Sequence, residues 1–454
     1  MFFLWVLFVG CDLVESQSKN LQKDLENSTH ESIPKKEVLS EENTKSVSGD
    51  NPKSTLSQSE KSQTDEGIHA KNIKKIVSIR RPFDAVSVKK PLILRPEHDA
   101  TLLFLRTFLE KQLENADEPW KLAHAMLALG KEAKLKDGSN PIESIFKKHA
   151  HWSKIGTVDV VQFEKFADDR FKKNPVEPHR DLLLKVMTEL HYSAGLEVIV
   201  EDIPINLEDY YNMRLYSNYL LPAANQSSYS STNDLAWSLQ ALSTWAPDDL
   251  TWQAHDKYTM NMDDFVLFAA VVLEKESKNL IDAMKSGAGF RKDGKGIFSY
   301  TCGGSHLLQA VAHSYGMGFG GDRVKDILEV QNELLYYRFV RELNIYDQLM
   351  KSNPEYKQIL LLQRLKFVGH FLESVAKMIV LAKEEPRPKH LEIIQGAADQ
   401  LTLTVEALRR EGLFLHVNQL RNKNHQQHLD LIGDAAHAVY GLELISAKRS
   451  LYLR

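Results

Sequence analysis

Four histidines and one cysteine are the residues of this chain whose types and spacing could do chemistry. Cys302 precedes His306 by four residues, and His124, His370 and His437 stand at similar places in other segments. A thiolate and an imidazole four residues apart on one helix face can bind a soft metal ion such as zinc. Neutral imidazoles can instead act as general acids and bases, or donate hydrogen bonds to a sugar or an anion. A third interpretation is architectural, with each imidazole capping a neighbouring loop.

A structural zinc site normally contains several closely spaced Cys or His residues, and no such group surrounds Cys302 and His306. We therefore predict no metal and no other cofactor. Zinc is the alternative, and it would need a further ligand from another repeat, such as His370, Asp434 or His437. A nucleophilic Cys302 assisted by His306 is another alternative, because a helix N-terminus favours the thiolate. No complete catalytic set is visible, so catalytic residues are not assigned.

The histidines belong to a repeated pattern, in which a polar or aromatic residue is followed one helical turn later by a small residue. The pattern occurs at His124 and Ala128, Trp237 and Ala241, His306 and Ala310, His370 and Ser374, and Asp434 and Ala438. Equivalent positions of stacked repeats meet on one face. We therefore predict a ligand-binding mouth formed by the helix starts, with the candidates His124, Trp237, Cys302, His306, His370, Asp434 and His437.

The elements that must position these residues are helices, because apolar residues recur at three- and four-residue spacing from Pro96 onward. We predict outer helices near 99–114, 159–171, 206–219, 261–285, 322–350 and 389–411. Their inner partners are predicted near 119–130, 179–194, 233–245, 303–315, 355–383 and 427–446. Each hairpin alone leaves an apolar face uncovered, and a closed ring covers all six. The predicted fold class is therefore all-α, an (α/α)6 toroid of six helical hairpins.

One stretch resembles a known superfamily. The run Asp293-Gly-Lys-Gly-Ile-Phe-Ser-Tyr300, followed by Gly303-Gly-Ser-His306 and Ala310, resembles the repeat of the terpenoid cyclase and protein prenyltransferase β-subunit toroids. The resemblance covers 99–446 in pattern and 287–316 in detail. It implies an (α/α)6 barrel whose binding cavity lies at the inner-helix N-termini. It does not imply catalysis, because the Asp-x-Asp-Asp motif of the squalene cyclases is absent, although the prenyltransferases bind zinc with an Asp, a Cys and a His.

The N-terminal part of the chain predicts an anchor and a tether. Residues 1–10 are apolar and fit a signal peptide, and Phe8-Val-Gly-Cys11 resembles a bacterial lipobox whose cysteine is lipidated. An ordinary secretory signal is the alternative. Residues 11–95 are predicted to be a disordered tether, since no aromatic residue occurs between Asp12 and Gly67. Its basic end, 68–95, is interpreted either as a membrane-facing patch or as an arm packed along the folded domain, 96–454.

Composition limits the function. The 57 basic and 61 acidic residues give a net charge of -4, which argues against a nucleic-acid partner. The chain is predicted to be a lipoprotein of the bacterial cell envelope, anchored to the membrane through Cys11 and facing the periplasm or the cell surface. Its toroid would be a binding or scaffolding module for a polysaccharide, lipid or protein partner. The alternative is an enzyme, a lyase or hydrolase of envelope polysaccharide or an enzyme of isoprenoid-type lipid, and whether the chain is an enzyme is left open.

Overall fold

The computed structural model describes residues 71–79, 83–114, 118–168 and 173–453. Within these residues the chain is mainly helical, with fourteen α-helices and several very short strands. The predicted signal peptide, Cys11 and most of the predicted tether lie outside the described residues. No helix in the described part of the chain is long and apolar enough to cross a membrane.

The helices are numbered in chain order. They are α1 (Pro96–Glu110), α2 (Pro119–Leu129), α3 (Pro141–His149), α4 (Leu182–Glu189), α5 (Leu207–Ser217), α6 (Thr232–Trp245), α7 (Met262–Glu276), α8 (Lys278–Ser286), α9 (Ser305–Gly316), α10 (Gly321–Ser352), α11 (Lys357–Leu381), α12 (Pro388–Arg410), α13 (Val417–Lys423) and α14 (His425–Ile445). Pro96, Pro119, Pro141 and Pro388 each occupy the first helical position, where the missing N–H costs nothing.

The strands form six two-stranded antiparallel pairs, β1–β12, β2–β3, β4–β5, β6–β7, β8–β9 and β10–β11. They are β1 (Asp84–Val86), β2 (Ala150–Ile155), β3 (Val158–Phe163), β4 (Phe166–Asp168), β5 (Lys173–Pro175), β6 (Glu197–Val200), β7 (Ile203–Asn206), β8 (Leu220–Leu221), β9 (Gln226–Ser227), β10 (Thr251–Ala254), β11 (Tyr258–Asn261) and β12 (Leu451–Leu453). The prediction of a mainly helical chain is therefore confirmed, whereas the prediction that it contains no strands is wrong.

Six helices contact one another in chain order: α2 packs against α4, α4 against α6, α6 against α9, α9 against α11, and α11 against α14, which also packs against α2. These helices coincide within a few residues with the predicted inner segments. Their burial is nearly complete, and every residue of α6 is buried. The predicted outer segments contain α1, α5, α7, α10 and α12, and each of these packs on at least one of the six.

The predicted outer helix at 159–171 is wrong, because β3 and β4 occupy its described part. Val158, Val160 and Val161 are buried, and such β-branched residues fit the pleated, half-buried surface of a strand. Gly156 has φ 61° at the turn that returns β3 along β2. The helix of this region lies earlier, at α3, where the side chain of Asn140 accepts a hydrogen bond from Ile142 N.

Part of the predicted tether lies against the folded body. The side-chain oxygen of Asn212 accepts hydrogen bonds from the backbone nitrogens of Ile76 and Val77, at 2.7 and 2.8 Å. Farther along, β1 pairs with β12 near the end of the chain. The described residues of 68–95 therefore correspond to the interpretation of an arm packed along the folded domain.

Candidate metal centre

The ring-bearing candidates predicted from the sequence come together, although each lies on a different helix. They are His124 on α2, Trp237 on α6, His306 on α9, His370 on α11 and His437 on α14. The ring centroids of His306 and His370 are 4.9 Å apart, and those of His370 and His437 are 4.0 Å apart. Trp237 lies 5.0 Å from His306 and 6.1 Å from His124. The repeats thus place five rings in one cluster, which we call the imidazole cluster.

Cys302 joins this cluster from the loop before α9. Ligand atoms of Cys302, His306 and His370 all lie within 4.8 Å of one another. Burial raises the pKa of the Cys302 thiol to about 12, so without an ion the thiol is protonated at neutral pH. A bound zinc ion would displace this proton and take the thiolate as ligand.

The backbone of this loop has an unusual conformation that fixes the direction of Cys302. Cys302, Gly303 and Gly304 have consecutive left-handed φ values of 57°, 57° and 77°. Such a φ is unfavourable for a residue with a Cβ and persists where the surroundings enforce it. Arg338 contributes to this, since its Nη1 donates to the carbonyl oxygen of Gly303 at 3.0 Å and its Nε donates to Glu342 at 2.8 Å.

The imidazoles are in the protonation state that metal binding requires. Burial, together with the neighbouring histidines, lowers the pKa of His306 and of His370 well below the ordinary value of 6.5. Both rings are therefore neutral at pH 7 and keep a free lone pair. Both nitrogens of His306 and Nδ1 of His370 are buried without a hydrogen-bond partner. Buried polar atoms almost always have a partner, so these atoms are suited to an ion between them.

His124 differs from the other histidines. Its Nδ1 donates to the carbonyl oxygen of Trp120, one turn earlier in α2, at 2.8 Å. This bond stays within α2, so it does not cap a neighbouring loop as the architectural interpretation assumed. Trp237 likewise supplies a ring and a buried, unpartnered indole N–H rather than a metal ligand.

Asp434 does not belong to either group of possible ligands in the described residues. It faces Lys366, whose Nζ lies 4.0 Å from Asp434 and 3.1 Å from Asp430. Burial raises the pKa of Asp434 well above its ordinary value. Its Oδ2 is buried without a hydrogen-bond partner. Asp434 therefore lies beside the cluster, where burial opposes the charged form of its carboxyl group.

Glu373 is a member of the site that the sequence analysis missed. Ligand atoms of His370, Glu373 and His437 lie within 4.8 Å of one another, and all three side chains are buried. Oε2 of Glu373 accepts a hydrogen bond from Nδ1 of His437 at 2.7 Å. Although burial alone would raise it, Lys377 and His437 hold the pKa of Glu373 well below its ordinary value. The spacing of His370 and Glu373, three residues apart on one helix, was the available signal.

Other charged side chains on the inner helices were also missed. Lys377 is fully buried, with its Nζ 2.7 Å from Glu373 and 2.6 Å from Glu189. Lys185 forms an ion pair with Glu189. Lysine and glutamate four residues apart, inside segments that are otherwise apolar, signalled an internal ion pair.

Neither of two cavities found in the described residues is lined by a ring of the imidazole cluster. The larger of two described cavities, about 330 Å³, lies elsewhere, between α10 and α12. The other, about 10 Å³, lies beside Gly303, Gly304 and Arg338. Cys302 and His306 keep partial exposure, whereas His370 and His437 are buried. The cluster is thus a packed centre with one side near the surface.

The aromatic residues between 210 and 252 belong mainly to the core. Tyr211 is fully buried, and its hydroxyl donates to the carbonyl oxygen of Leu242 at 2.7 Å. The indole nitrogen of Trp252 donates to the carbonyl oxygen of Leu215 at 2.8 Å. Rings with both faces buried cannot stack on a sugar, so these side chains do not favour the polysaccharide alternative.

Comparison of the chain with protein families, with characterised proteins and with solved structures finds no match. The resemblance to the terpenoid cyclase and prenyltransferase toroids therefore stays a prediction.

Proposed function

We propose that this chain is a metal-binding helical toroid, in which a ring of six inner helices surrounds a zinc-class ion held by Cys302, His306 and His370, with His437 as fourth ligand. The observation that carries the proposal is the convergence of one thiol and two neutral imidazoles, with ligand atoms within 4.8 Å. The buried and unpartnered nitrogens of His306 and His370 support it.

The toroid is part of the proposal. It is supported by the sequential contacts of α2, α4, α6, α9, α11 and α14 and by the return contact of α14 with α2. A ring of this kind brings one residue per repeat to a shared axis. The β-hairpins before α5 and α7 are then additions between an inner helix and the next outer helix.

Zinc suits this donor set better than a hard cation does. Thiolate and imidazole are ligands of zinc and related soft or borderline ions, whereas magnesium and calcium prefer oxygen. Ligand atoms around tetrahedral zinc are about 3.3–3.6 Å apart, as follows from the usual zinc–nitrogen and zinc–sulfur distances. Ligand atoms of Cys302, His306 and His370 lie within 4.8 Å of one another, and His437 shares such a group only with His370 and Glu373, so the side chains would draw together around the ion.

The ion has a binding or structural role in this proposal. Four protein ligands close a zinc site and leave no open position for a substrate. The second candidate is a metalloenzyme acting on envelope polysaccharide or an isoprenoid-type lipid. One observation favours it: Cys302 and His306 are partly exposed, so a water or substrate atom could reach the ion in place of His437.

The envelope location is a separate part of the proposal, since Cys11 lies outside the described residues. Fractionation of cells that express the full chain tests it. Cys11→Ser should release the protein from the membrane fraction, and unchanged fractionation would contradict the lipid anchor.

Native mass spectrometry and metal analysis of the full chain, purified without chelator, test the metal centre. We expect one zinc-class ion per chain in the wild type and none in a Cys302→Ala, His306→Ala double variant. His313→Gln is the matched control, because His313 lies on the same helix but bonds Thr244 outside the cluster. A wild-type chain without metal, or a double variant that keeps the ion, would overturn the proposal.

A further inference from the structure

We infer that Glu373 is a positioning residue of the metal centre, which holds the Nδ1–H of His437 and thereby directs Nε2 of that ring to the ion. The inference rests on the proposed function. It assigns the fourth ligand and the residue that selects its tautomer.

The first step is the hydrogen bond itself. Nδ1 of His437 and Oε2 of Glu373 are 2.7 Å apart, and both side chains are buried. A carboxylate oxygen accepts this hydrogen bond, so the proton lies on Nδ1 of His437, and the nitrogen that the ring can offer to an ion is Nε2. The ring of His437 is 4.0 Å from that of His370 and 5.6 Å from that of His306, so it borders both proposed ligands.

The second step is that Glu373 is held in place. Its Oε1 accepts a hydrogen bond from Nζ of Lys377 at 2.7 Å. Lys377 in turn contacts Oε1 of Glu189 at 2.6 Å, and the hydroxyl of Tyr440 donates to the same oxygen at 3.1 Å. Lys185 completes this buried chain through its ion pair with Glu189. Two lysines balance two glutamates, so this buried chain of ion pairs carries no net charge, and each ion pair restrains the next.

Glu373 itself is not a ligand of the ion in this arrangement. Both of its oxygens are already engaged, one with His437 and the other with Lys377. Glu373 therefore acts through His437. Carboxylates that hold the remote nitrogen of a metal-bound histidine fix its orientation, and their loss lowers metal affinity about 10- to 100-fold.

Glu373→Gln tests the inference, and Glu189→Gln is the matched control. Both variants remove one negative charge from the same buried chain, but only Glu373 touches His437. The affinity of the full chain for zinc is measured by competition with a chelator. We expect Glu373→Gln to lose about 10- to 100-fold in affinity and Glu189→Gln to lose clearly less. Equal losses in both variants would overturn the inference, because they would show a general effect of charge.

A second readout reports the tautomer directly. Nitrogen-15 NMR of metal-free protein with labelled histidine, with the His437 signals assigned through His437→Gln, should show a protonated Nδ1 in the wild type. Glu373→Gln should shift the ring toward protonation at Nε2 or a mixture of tautomers. A wild-type ring protonated at Nε2 would overturn the inference whatever the affinities are.

If Glu373→Gln does not fold, the double variant Glu373→Gln, Lys377→Met keeps the buried chain neutral and is measured in its place. A wild-type chain that binds no ion overturns the proposed function, and the inference with it. A wild-type chain that binds the ion while the Glu373 variants bind it equally well overturns the inference alone.

Discussion

A Cβ atom on Gly441 would lie only 2.6 Å from the backbone nitrogen of Glu373, so α14 and α11 touch backbone to backbone beside the candidate metal centre. Gly369 makes the matching approach, since its Cβ would lie 3.0 Å from the backbone nitrogen of Ala438. This contact brings His437 and Glu373 within hydrogen-bond distance. Small residues at the crossing of the two helices therefore serve the site as well as the core.

Gly441→Ala should destabilise the protein. Alanine in a helix interior normally stabilises by about 1 kcal/mol relative to glycine. Here the added methyl group meets backbone atoms that cannot move aside, and overpacking of this kind costs about 1–3 kcal/mol. The free energy of unfolding, measured in urea, should therefore decrease in spite of the better helix propensity.

Gly396→Ala is the control for this prediction. Gly396 is an interior residue of α12, and nothing lies within 4 Å of the position that its Cβ would take. This variant should gain about 0.5–1 kcal/mol. If Gly441→Ala gained as much, the proposed tight crossing of α11 and α14 would be wrong.

The metal-free protein should become less stable as the pH falls below about 6.5. The pKa of His306 and of His370 is lowered in the folded state, mainly by burial, while the unfolded chain has the ordinary value of 6.5. Below that pH the unfolded state binds protons that the folded state does not bind, so stability rises with pH through this window. Each such histidine contributes a slope of about 1.4 kcal/mol per pH unit.

The free energy of unfolding in urea, measured with chelator present at intervals of about one pH unit between about pH 5 and pH 8, gives this slope. His306→Gln removes one of the titrating groups and should flatten the slope by about 1.4 kcal/mol per pH unit. A slope that stays the same in this variant would show that His306 is protonated in the folded protein.

Glu177→Gln should stabilise the protein at neutral and alkaline pH. Burial raises the pKa of Glu177 to about 8 from an ordinary 4.5, so the folded state keeps the carboxyl group protonated at pH 7 while the unfolded state releases the proton. Stability therefore decreases as pH rises from 4.5 to 8. Glutamine has no such cost, and its oxygen can still accept from the backbone nitrogen of Leu183, as Glu177 does at 3.2 Å.

The expected gain from Glu177→Gln at pH 7 is on the order of 2–3 kcal/mol. The gain should disappear near pH 4, because there the carboxyl group of Glu177 is mostly protonated in the folded and in the unfolded state. A gain that does not depend on pH would mean that glutamine packs better, and that Glu177 is not held as a neutral acid.

The parts of the site that repeat along the chain could be predicted from the sequence, and the parts that do not repeat could not. His306 and His370 occupy equivalent places in successive repeats, so a ring-like arrangement brings them together whatever the details of packing. Glu373 and Lys377 have no counterparts of this kind. A buried charge costs desolvation energy that is not offset unless an opposite charge lies beside it, and only the folded structure shows that Lys377 on α11 lies 2.6 Å from Glu189 on α4.

The error at 159–171 has a different physical origin. The apolar residues Val160 and Val161 fall within the predicted helix because the surrounding sequence is helical. Their strand conformation depends on pairing with β2. Pairing is a contact between segments, and propensity in one segment does not determine it. The predicted outer helix at 261–285 is also broken, at Ser277 between α7 and α8, where the hydroxyl of Ser277 lies 3.4 Å from the side-chain oxygen of Gln331 on α10.

The packed arm, residues 71–79, should stabilise the folded domain. A chain that begins at residue 71 should be as stable as the full chain, because the segment from Asp12 to Gly67 has no aromatic residue that could join the core. A chain that begins at residue 83 should be less stable by about 2 kcal/mol or more. It loses the apolar contacts of Ile76 and Val77 and leaves the side-chain oxygen of the buried Asn212 without the two backbone donors of the arm.

Asn212→Ala in the full-length chain separates the two causes. It removes the hydrogen bonds to the arm but keeps the apolar contacts of Ile76 and Val77, so it should reproduce only part of the loss seen on truncation. Melting temperatures of the two truncated chains and of this variant, measured side by side, decide the question. Equal melting temperatures for the chains that begin at 71 and at 83 would show that residues 71–79 contribute nothing to the folded state, and the packed-arm interpretation would then be wrong.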